Sequence, residues 1–188
     1  DGLNGLFYDG TLFNRASFRK APHNSYITYE NIQKGAEKLN YDVEKEVLPL
    51  TFTKNDNVTG TLTEKVQIKY STRQATHVEY IFNKEKQHYE RYSGGVKTTD
   101  LETLEEVITH NIFIVETEHA VVDDKGRRVI DITSGGKGIL IQGGLRNEVE
   151  WKSIDGRIVP YNNGEQVGFL PGKTWIQIVP SLGTVHYE

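Results

Sequence analysis

The feature that most constrains this fold is a period-two alternation of apolar and polar residues that begins after Pro49. Apolar residues recur at every second position in two runs, Val66, Ile68 and Tyr70 and then Val78, Tyr80 and Phe82. Side chains two residues apart lie on the same face of a strand, so each run predicts a strand with one buried face. The stretch 83–86 offers a turn, and 88–92 returns as the second strand of a hairpin.

Similar short runs continue to the end of the chain, separated by residues typical of turns such as Asp155-Gly156 and Pro171-Gly172. They predict strands at 111–116, 127–133, 138–142, 147–152, 157–160, 166–169 and 174–179. Short strands at this spacing favour an antiparallel sandwich over alternating strand–helix units. Residues 100–110 fit one short helix or a loop.

The clearest helix prediction lies near the start, over 28–40. Thr28 is a suitable N-cap, and Ile32, Ala36 and Leu39 form an apolar stripe at helical spacing. We therefore expect an α+β fold of predominantly antiparallel, sandwich-like sheets with one or two packed helices. Residues 1–48 would form a helix-bearing module and residues 49–188 a β-rich one.

Composition excludes several classes of function. The net charge of −4 and pI near 5.9 argue against a nucleic-acid-binding protein, and we expect no nucleic-acid partner. The chain has no cysteine, so disulfides and thiolate metal sites are impossible. No apolar run approaches the roughly 20 residues that a membrane-spanning helix needs.

A basic and aromatic stretch, 13–26, holds the main candidate site: Arg15, Arg19, His23 and Asn24. An arginine fork binds two oxygens at once, and a histidine titrates near neutral pH, so the group suits a carboxylate or another anion. These residues predict an anion-accepting groove where the two modules meet. The alternative is structural: the arginines pair with internal Asp or Glu residues while His23 and Asn24 brace a turn or cap the helix.

Tyr89 and Arg91 are secondary binding candidates. In a strand they point to one side, while Glu90 and Tyr92 point to the other. The first pair would then present an aromatic, cationic surface to a ligand. Core packing with one solvated face explains the same pattern.

Catalytic and metal templates are absent from the sequence. It contains no His-Glu-x-x-His and no Gly-x-Ser-x-Gly, and its Ser134–Gly138 stretch lacks the spacing of a phosphate-binding loop. We predict no metal site and no cofactor, and the sequence favours binding over catalysis.

Several motifs stand in order along the chain. They are the Phe13, Arg15 and Arg19 positions followed by Ala21-Pro22-His23-Asn24, then Tyr80-Ile81-Phe82, Tyr89-Glu90-Arg91-Tyr92, Asn111-Ile112-Phe113-Ile114-Val115, Ser134-Gly135-Gly136-Lys137-Gly138, Val149-Glu150-Trp151-Lys152 and Pro171-Gly172-Lys173-Thr174-Trp175-Ile176. Taken together, they resemble the YerB-like family, predicted lipoproteins of Gram-positive bacteria with no established activity. The resemblance covers roughly residues 13–180. It implies an α+β architecture, a lipid anchor on an upstream cysteine, and a position outside the cytoplasmic membrane. Family members have a longer first module, so residues 1–48 are expected to be its C-terminal part.

We therefore expect an extracytoplasmic, membrane-tethered accessory protein of the cell envelope. Its partner would be an anionic envelope ligand or another envelope protein, and it would meet the membrane only through the upstream anchor. Two alternatives stay open. One is an envelope hydrolase or transferase that uses His23 with a carboxylate, and the other is a structural protein–protein interaction module.

Overall fold

The structure is a computed structural model and describes residues 2–44, 46 and 48–188. Its contacts divide the chain into two compact units, Asp1–Leu48 (unit 1) and Pro49–Glu188 (unit 2). Within the described residues, no helix is long and apolar enough to cross a membrane.

Unit 1 contains a short hairpin that the sequence did not predict. Strands β1 (Phe13–Arg15) and β2 (Ser25–Ile27) pair antiparallel. The backbone of Ala16 extends the pairing, since its N–H donates to the Asn24 carbonyl at 2.8 Å. Residues 17–23 therefore form an exposed loop at the end of the hairpin.

Helix α1 (Tyr29–Lys38) follows the hairpin and lies inside the predicted range. Thr28 caps it, because its hydroxyl accepts a hydrogen bond from the backbone N–H of Asn31. The predicted apolar stripe is wrong at Ile32, which is 41% exposed, whereas Ala36 is buried. The helix instead packs through Gly35, where a Cβ would lie 2.5 Å from a methyl carbon of Leu3. The absence of a side chain at Gly35 leaves room for the side chains of Leu3 and Leu12 against the helix.

Unit 2 is built almost entirely of short strands. In chain order they are β3 (Thr61–Leu62), β4 (Lys65–Lys69), β5 (His77–Asn83), β6 (His88–Ser93), β7 (Val96–Lys97), β8 (Ile108–Thr109), β9 (Asn111–Glu116), β10 (His119–Val121), β11 (Arg128–Ile130), β12 (Gly136–Gln142), β13 (Leu145–Ile154), β14 (Arg157–Asn162), β15 (Glu165–Gln166), β16 (Thr174–Val179) and β17 (Val185–Tyr187). Short 3-10 turns lie at Asn55–Asn57, Gln74–Thr76 and Leu182–Thr184.

These strands form two large sheets and one separate hairpin. The larger sheet has the order β15-β14-β13-β12-β9-β16, with β3 added to β13. The smaller has the order β17-β4-β5-β6-β7, with β8 added to β6, and β10 pairs only with β11. The described pairs are antiparallel apart from β9 with β16 and two isolated bridges. The α+β class with predominantly antiparallel sheets is confirmed.

Two apolar clusters form the core of unit 2, and one of them joins the two large sheets. The inner cluster lies between them, with Val66, Tyr80 and Tyr89 from the smaller sheet and Ile112 and Ile141 from the larger. A second cluster, which includes Phe113, Trp151 and Phe169, covers the other face of the larger sheet. Strand β9 is therefore buried on both faces, as its continuous apolar run Ile112–Val115 suits.

Two of the predicted elements differ in the structure. The strand predicted at 166–169 is wrong, because only Glu165–Gln166 pairs with β14 while Phe169 bridges to Phe52. Residues 100–110 form no helix; a turn around Asp100 leads into β8. Asp100 explains the turn, since its carboxylate accepts hydrogen bonds from the backbone N–H groups of Glu102 and Thr103.

Candidate anion-binding site

Arg15, on the hairpin of unit 1, is already paired. Its guanidinium donates to both carboxylate oxygens of Asp9, from Nη2 to Oδ2 at 2.8 Å and from Nε to Oδ1 at 3.1 Å. Its Nη1 donates to Oδ1 of Asn24 at 3.0 Å. The hydrogen bonds from Arg15 hold the pKa of Asp9 below its usual value. Arg15 and Asn24 thus brace the hairpin, which is the structural role that the sequence left open.

Arg19 and His23 lie in the loop between β1 and β2, and both are exposed. The Arg19 guanidinium lies over the ring of Phe18, with 5.6 Å between Cζ and the ring centroid. No carboxylate of residues 2–44, 46 and 48–188 lies at ion-pair distance from either residue. The structure therefore brings Arg15 and Asn24 together and leaves Arg19 and His23 in solvent.

Strand β6 carries the secondary candidates, and its side chains alternate as predicted. Tyr89 is fully buried in the inner cluster, so it cannot reach a ligand in this fold. Glu90 and Tyr92 share the opposite face, where the Tyr92 hydroxyl donates to Glu90 Oε2 at 3.3 Å. Arg91 lies on the same side as Tyr89 and reaches the larger sheet.

Arg91 lies at the centre of a group that joins the two large sheets. We call this group the Arg91 cluster; it consists of Tyr70, Tyr80, Arg91, Trp175 and Gln177. The Arg91 guanidinium stacks on the Trp175 indole, with 4.3 Å between Cζ and the ring centroid. Gln177, from the same strand as Trp175, donates to the Tyr80 hydroxyl at 2.5 Å and accepts from the Tyr70 hydroxyl.

The charge of Arg91 is not balanced by any described residue. Its Nη1 donates to the hydroxyl of Thr98 at 2.8 Å, which is a neutral partner. Its Nε is buried and has no hydrogen-bond partner in the part of the chain that the structure describes. No described carboxylate lies at ion-pair distance from it. A charge removed from water without a counter-ion is unfavourable, so this guanidinium retains both a free donor and an unbalanced positive charge.

The hydroxyls around Arg91 are neutral at physiological pH. Burial raises the pKa of Tyr70 to about 12, and Arg91 lowers it only in part. Burial likewise raises the pKa of Tyr80 to about 12, against smaller lowering effects of Gln177 and Arg91. Neither tyrosine therefore supplies a negative charge. Tyr70 is 39% exposed, which opens the cluster to solvent on that side.

Within the described ranges, no three His, Cys, Asp or Glu side chains are grouped so as to hold a metal ion. The catalytic alternative requires a carboxylate beside His23, and none of the described carboxylates pairs with it. The arrangement at Arg91 offers hydrogen-bond donors and a flat aromatic surface. This chemistry suits binding of an oxyanion.

Sequence reasoning named Arg91 but missed the residues that surround it. Trp175 entered only as part of the motif at 171–176, and Gln177 was not singled out. One signal was present in the sequence. Arg91 occupies the same strand face as Tyr89, and an arginine on a core-facing side needs a special partner.

Comparison with known proteins places these residues among relatives of unknown activity. Residues 66–176 match the family described as "Protein of unknown function (DUF3048) C-terminal domain". The chain is 48% identical over 183 residues to "Putative lipoprotein YerB" of Bacillus subtilis (strain 168), a match over 97% of this chain and 55% of that relative. The chain thus spans about half the length of the curated relative that it matches.

A solved structure agrees with the fold. The crystal structure of the YerB protein from Bacillus subtilis matches with a TM-score of 0.85 at 46% identity. The match covers 99% of this chain and 62% of that chain. Both proteins therefore share the arrangement of strands on which the Arg91 cluster is built.

Proposed function

This chain belongs to the YerB-like family, and from that premise we propose that it is a noncatalytic binding protein of the bacterial cell envelope that accepts an anionic group at Arg91. The observation that carries the proposal is the unbalanced guanidinium on Trp175. The name of the relative, a lipoprotein, supports a position outside the cytoplasmic membrane. The tether would be a lipid anchor on the full-length protein.

The tethered location has a direct test. Full-length protein expressed in a Gram-positive host is expected in the membrane fraction and open to external protease on intact cells. Recovery in the cytosolic fraction would contradict the proposed location but would not bear on the proposed binding site.

The ligand of the Arg91 site would carry a carboxylate or a phosphate. Arg91 is part-exposed although its Nε is buried, so its Nη atoms are the donors that an oxyanion would reach. The Trp175 ring, partly exposed beneath the guanidinium, adds a flat surface for the rest of the ligand. Cell-envelope polymers provide both kinds of anion, as carboxylates of peptide stems and phosphodiesters of polyol chains.

Titration followed by NMR tests the site. Acetate, inorganic phosphate, glycerol phosphate and a peptidoglycan stem peptide would be added to the labelled chain, with the Trp175 indole N–H as the reporter. We expect a saturable shift from at least one probe that is lost in Arg91→Gln. The loss should weaken binding at least about tenfold, because hydrogen bonds to charged groups contribute on the order of 2 kcal/mol.

Arg128→Gln is the matched control, because Arg128 is an exposed arginine on the separate β10–β11 hairpin. It should leave the indole shift unchanged. A shift that persists in Arg91→Gln, or a folded wild type that responds to no probe, would overturn the Arg91 site.

The loop cations Arg19 and His23 are proposed as a second, weaker anion contact. They are exposed, so water screens their interactions more than those of Arg91. The same probes should shift the backbone amides of loop 17–23, with a lower affinity than at the Trp175 indole, and Arg19→Ala should remove those loop shifts. Equal or tighter binding at the loop amides would move the principal site to unit 1.

A second candidate function, a protein-interaction module, is favoured by the exposed apolar side chains of unit 1. Leu6 is 85% exposed, Phe7 80%, Phe18 76% and Tyr29 75%. A photo-crosslinker placed at position 18 in full-length protein should capture a defined envelope protein, whereas one at Glu85, in a polar turn, should not. Equal crosslinking from both positions would remove this candidate.

A further inference from the structure

A second cavity in unit 2, separate from the Arg91 cluster, is lined by charges of both signs. It has a volume of about 460 Å³ and lies against β12 and β13 beside β17 and the Leu182–Thr184 turn. Two cations, Lys137 and Arg146, and two carboxylates, Glu116 and Glu148, line it. The volume is in the range of small-molecule sites.

Oppositely charged side chains that share a cavity would be expected to neutralise one another, but these do not. None of the four forms an ion pair with any described residue. Arg146 is held over the ring of Tyr187, with 4.0 Å between Cζ and the ring centroid. Glu116 accepts a hydrogen bond from the Leu182 N–H at 2.7 Å. Arg146 and Glu116 are thus held by neutral partners and not by each other.

The register of the sheet sets the spacing between one cation and one carboxylate. Arg146 lies opposite Ile141 and Glu148 opposite Ile139 on the paired strand, so both project from the same face of β13. Two residues along a strand span roughly 7 Å, at about 3.3 Å per residue. Burial raises the pKa of Tyr187, while Arg146 lowers it and Glu148 raises it, so all three lie close together.

We propose that this cavity binds the zwitterionic head of a free α-amino acid, with its carboxylate on Arg146 and its ammonium on Glu148. A guanidinium pairs two carboxylate oxygens in parallel, and a carboxylate accepts from an ammonium. The two ligand charges are separated by one carbon, which suits a cation and a carboxylate on one strand face. A ligand with a single charge would leave one of these two side chains unmatched.

The floor of the cavity favours an apolar amino-acid side chain. Ile139 is only 5% exposed and belongs to the inner cluster. Leu182 packs against the same cluster from the turn that contacts Glu116. Leucine is therefore the first probe, because its side chain would cover apolar surface that water covers now.

Leucine and two derivatives separate the two contacts. Leucine amide lacks the carboxylate and N-acetyl-leucine lacks the ammonium, so calorimetry on the 188-residue chain should rank leucine above both. Arg146→Gln should weaken leucine binding at least about tenfold and no longer distinguish leucine from leucine amide. Glu148→Gln should no longer distinguish leucine from N-acetyl-leucine.

Lys152→Gln is the matched control, because Lys152 lies on β13 like Arg146 but does not line the cavity. Its Nζ lies 4.2 Å from the centroid of the Tyr161 ring. This variant should bind leucine as the wild type does. Equal affinities for the three leucine compounds, or equal affinities in wild type and both cavity variants, would overturn the proposal. Saturable binding of dileucine without binding of leucine would also overturn it, since the two charges would then be too far apart.

Discussion

Arg15 in unit 1 and Arg91 in unit 2 are the same residue type in two different electrostatic settings. Arg15 is balanced by Asp9 through two hydrogen-bonded carboxylate oxygens and is further held by Asn24. Arg91 is stacked on Trp175 and donates to Thr98, and no described carboxylate balances its charge. The first arginine supports its own hairpin. The second keeps a charge that no described carboxylate balances, and it is the arginine that we propose binds an anion.

The difference arises from how far along the chain each arginine finds its partners. Asp9 and Asn24 lie on either side of Arg15 in one hairpin, so local chain reversal is enough to bring them together. Trp175 and Gln177 come from β16, which lies in the other sheet from β6. Only the packing of the two sheets places the indole under Arg91. A ligand contact at Arg91 therefore depends on the whole sandwich.

The largest expected effect comes from removing the surface on which Arg91 stacks. Trp175→Ala should lower the free energy of unfolding of unit 2 by about 3 kcal/mol, because it removes a large aromatic group packed against the inner cluster. It should also abolish the anion response, since Arg91 would lose the ring that positions it; the backbone amide signals of β6 report the response in this variant, because the indole N–H is gone. Urea unfolding followed by the fluorescence of Trp151, the other tryptophan of the chain, measures the first effect.

Trp175→Phe is the control for that variant, because it retains an aromatic surface. It should recover part of the stability and part of the anion response. If Trp175→Ala left anion binding intact, Arg91 would not depend on the sandwich, and the contrast with Arg15 would fail.

The second expected effect contrasts the two arginines directly. Arg15→Met should destabilise unit 1, because Asp9 and Asn24 lose their shared partner. Arg91→Met should change the stability of unit 2 by less than about 1 kcal/mol, since the lost stacking on Trp175 is offset by removal of an unbalanced charge. Amide hydrogen exchange reports each unit separately.

The chain has no native methionine, so each new methyl group also gives a single NMR signal that reports local order. A loss of more than about 2 kcal/mol in Arg91→Met would assign Arg91 a structural role like that of Arg15. The Arg91 site would then lose its main support.

The sequence predicted the regular parts of this molecule better than its sites. Alternation and turn residues were enough for β4, β5, β6, β9, β11, β12, β13, β14 and β16, because those signals are local. The hairpin β1–β2 was missed because three-residue strands carry too little periodicity. The pairing of Arg15 with Asp9 was left as one of two alternatives, since a basic cluster does not reveal which acid lies beside it.

The candidate sites depended on contacts that no local pattern contains. Arg91 was named from the sequence, but Trp175 and Gln177 join it only after the parallel pairing of β16 with β9. The polar cavity was not foreseen for the same reason. Tyr187 comes to lie beside Arg146 and Glu148 only through the pairing of β17 with β4, far along the chain from β13.

The smallest expected effect concerns His88, which lies on the same strand as Arg91. Unlike the Arg91 guanidinium, the His88 ring is favoured in its neutral form. Its side chain is buried, its Nε2 has no partner among the described residues, and its ring centroid lies 6.3 Å from that of His110. Burial, with smaller effects of His110 and Lys86, lowers the pKa of His88 below 6.5, while Glu90 and Glu106 oppose the shift weakly. The folded state thus favours the neutral ring. The stability that this contributes is complete above pH 6.5 and is lost as the pH falls through the lowered pKa.

His88→Gln should therefore flatten the decline in the stability of unit 2 below pH 6.5. Thermal unfolding of wild type and variant across that pH range measures the change. Burial also lowers the pKa of His119. Replacing His119 as well in the His88→Gln variant should therefore flatten the decline in stability further. If His88→Gln kept the full acid sensitivity, the cost of a charge at this position would be small. The strand would then tolerate an unmatched cation at His88 as well as at Arg91, and the lack of a counter-ion at Arg91 would no longer set that residue apart.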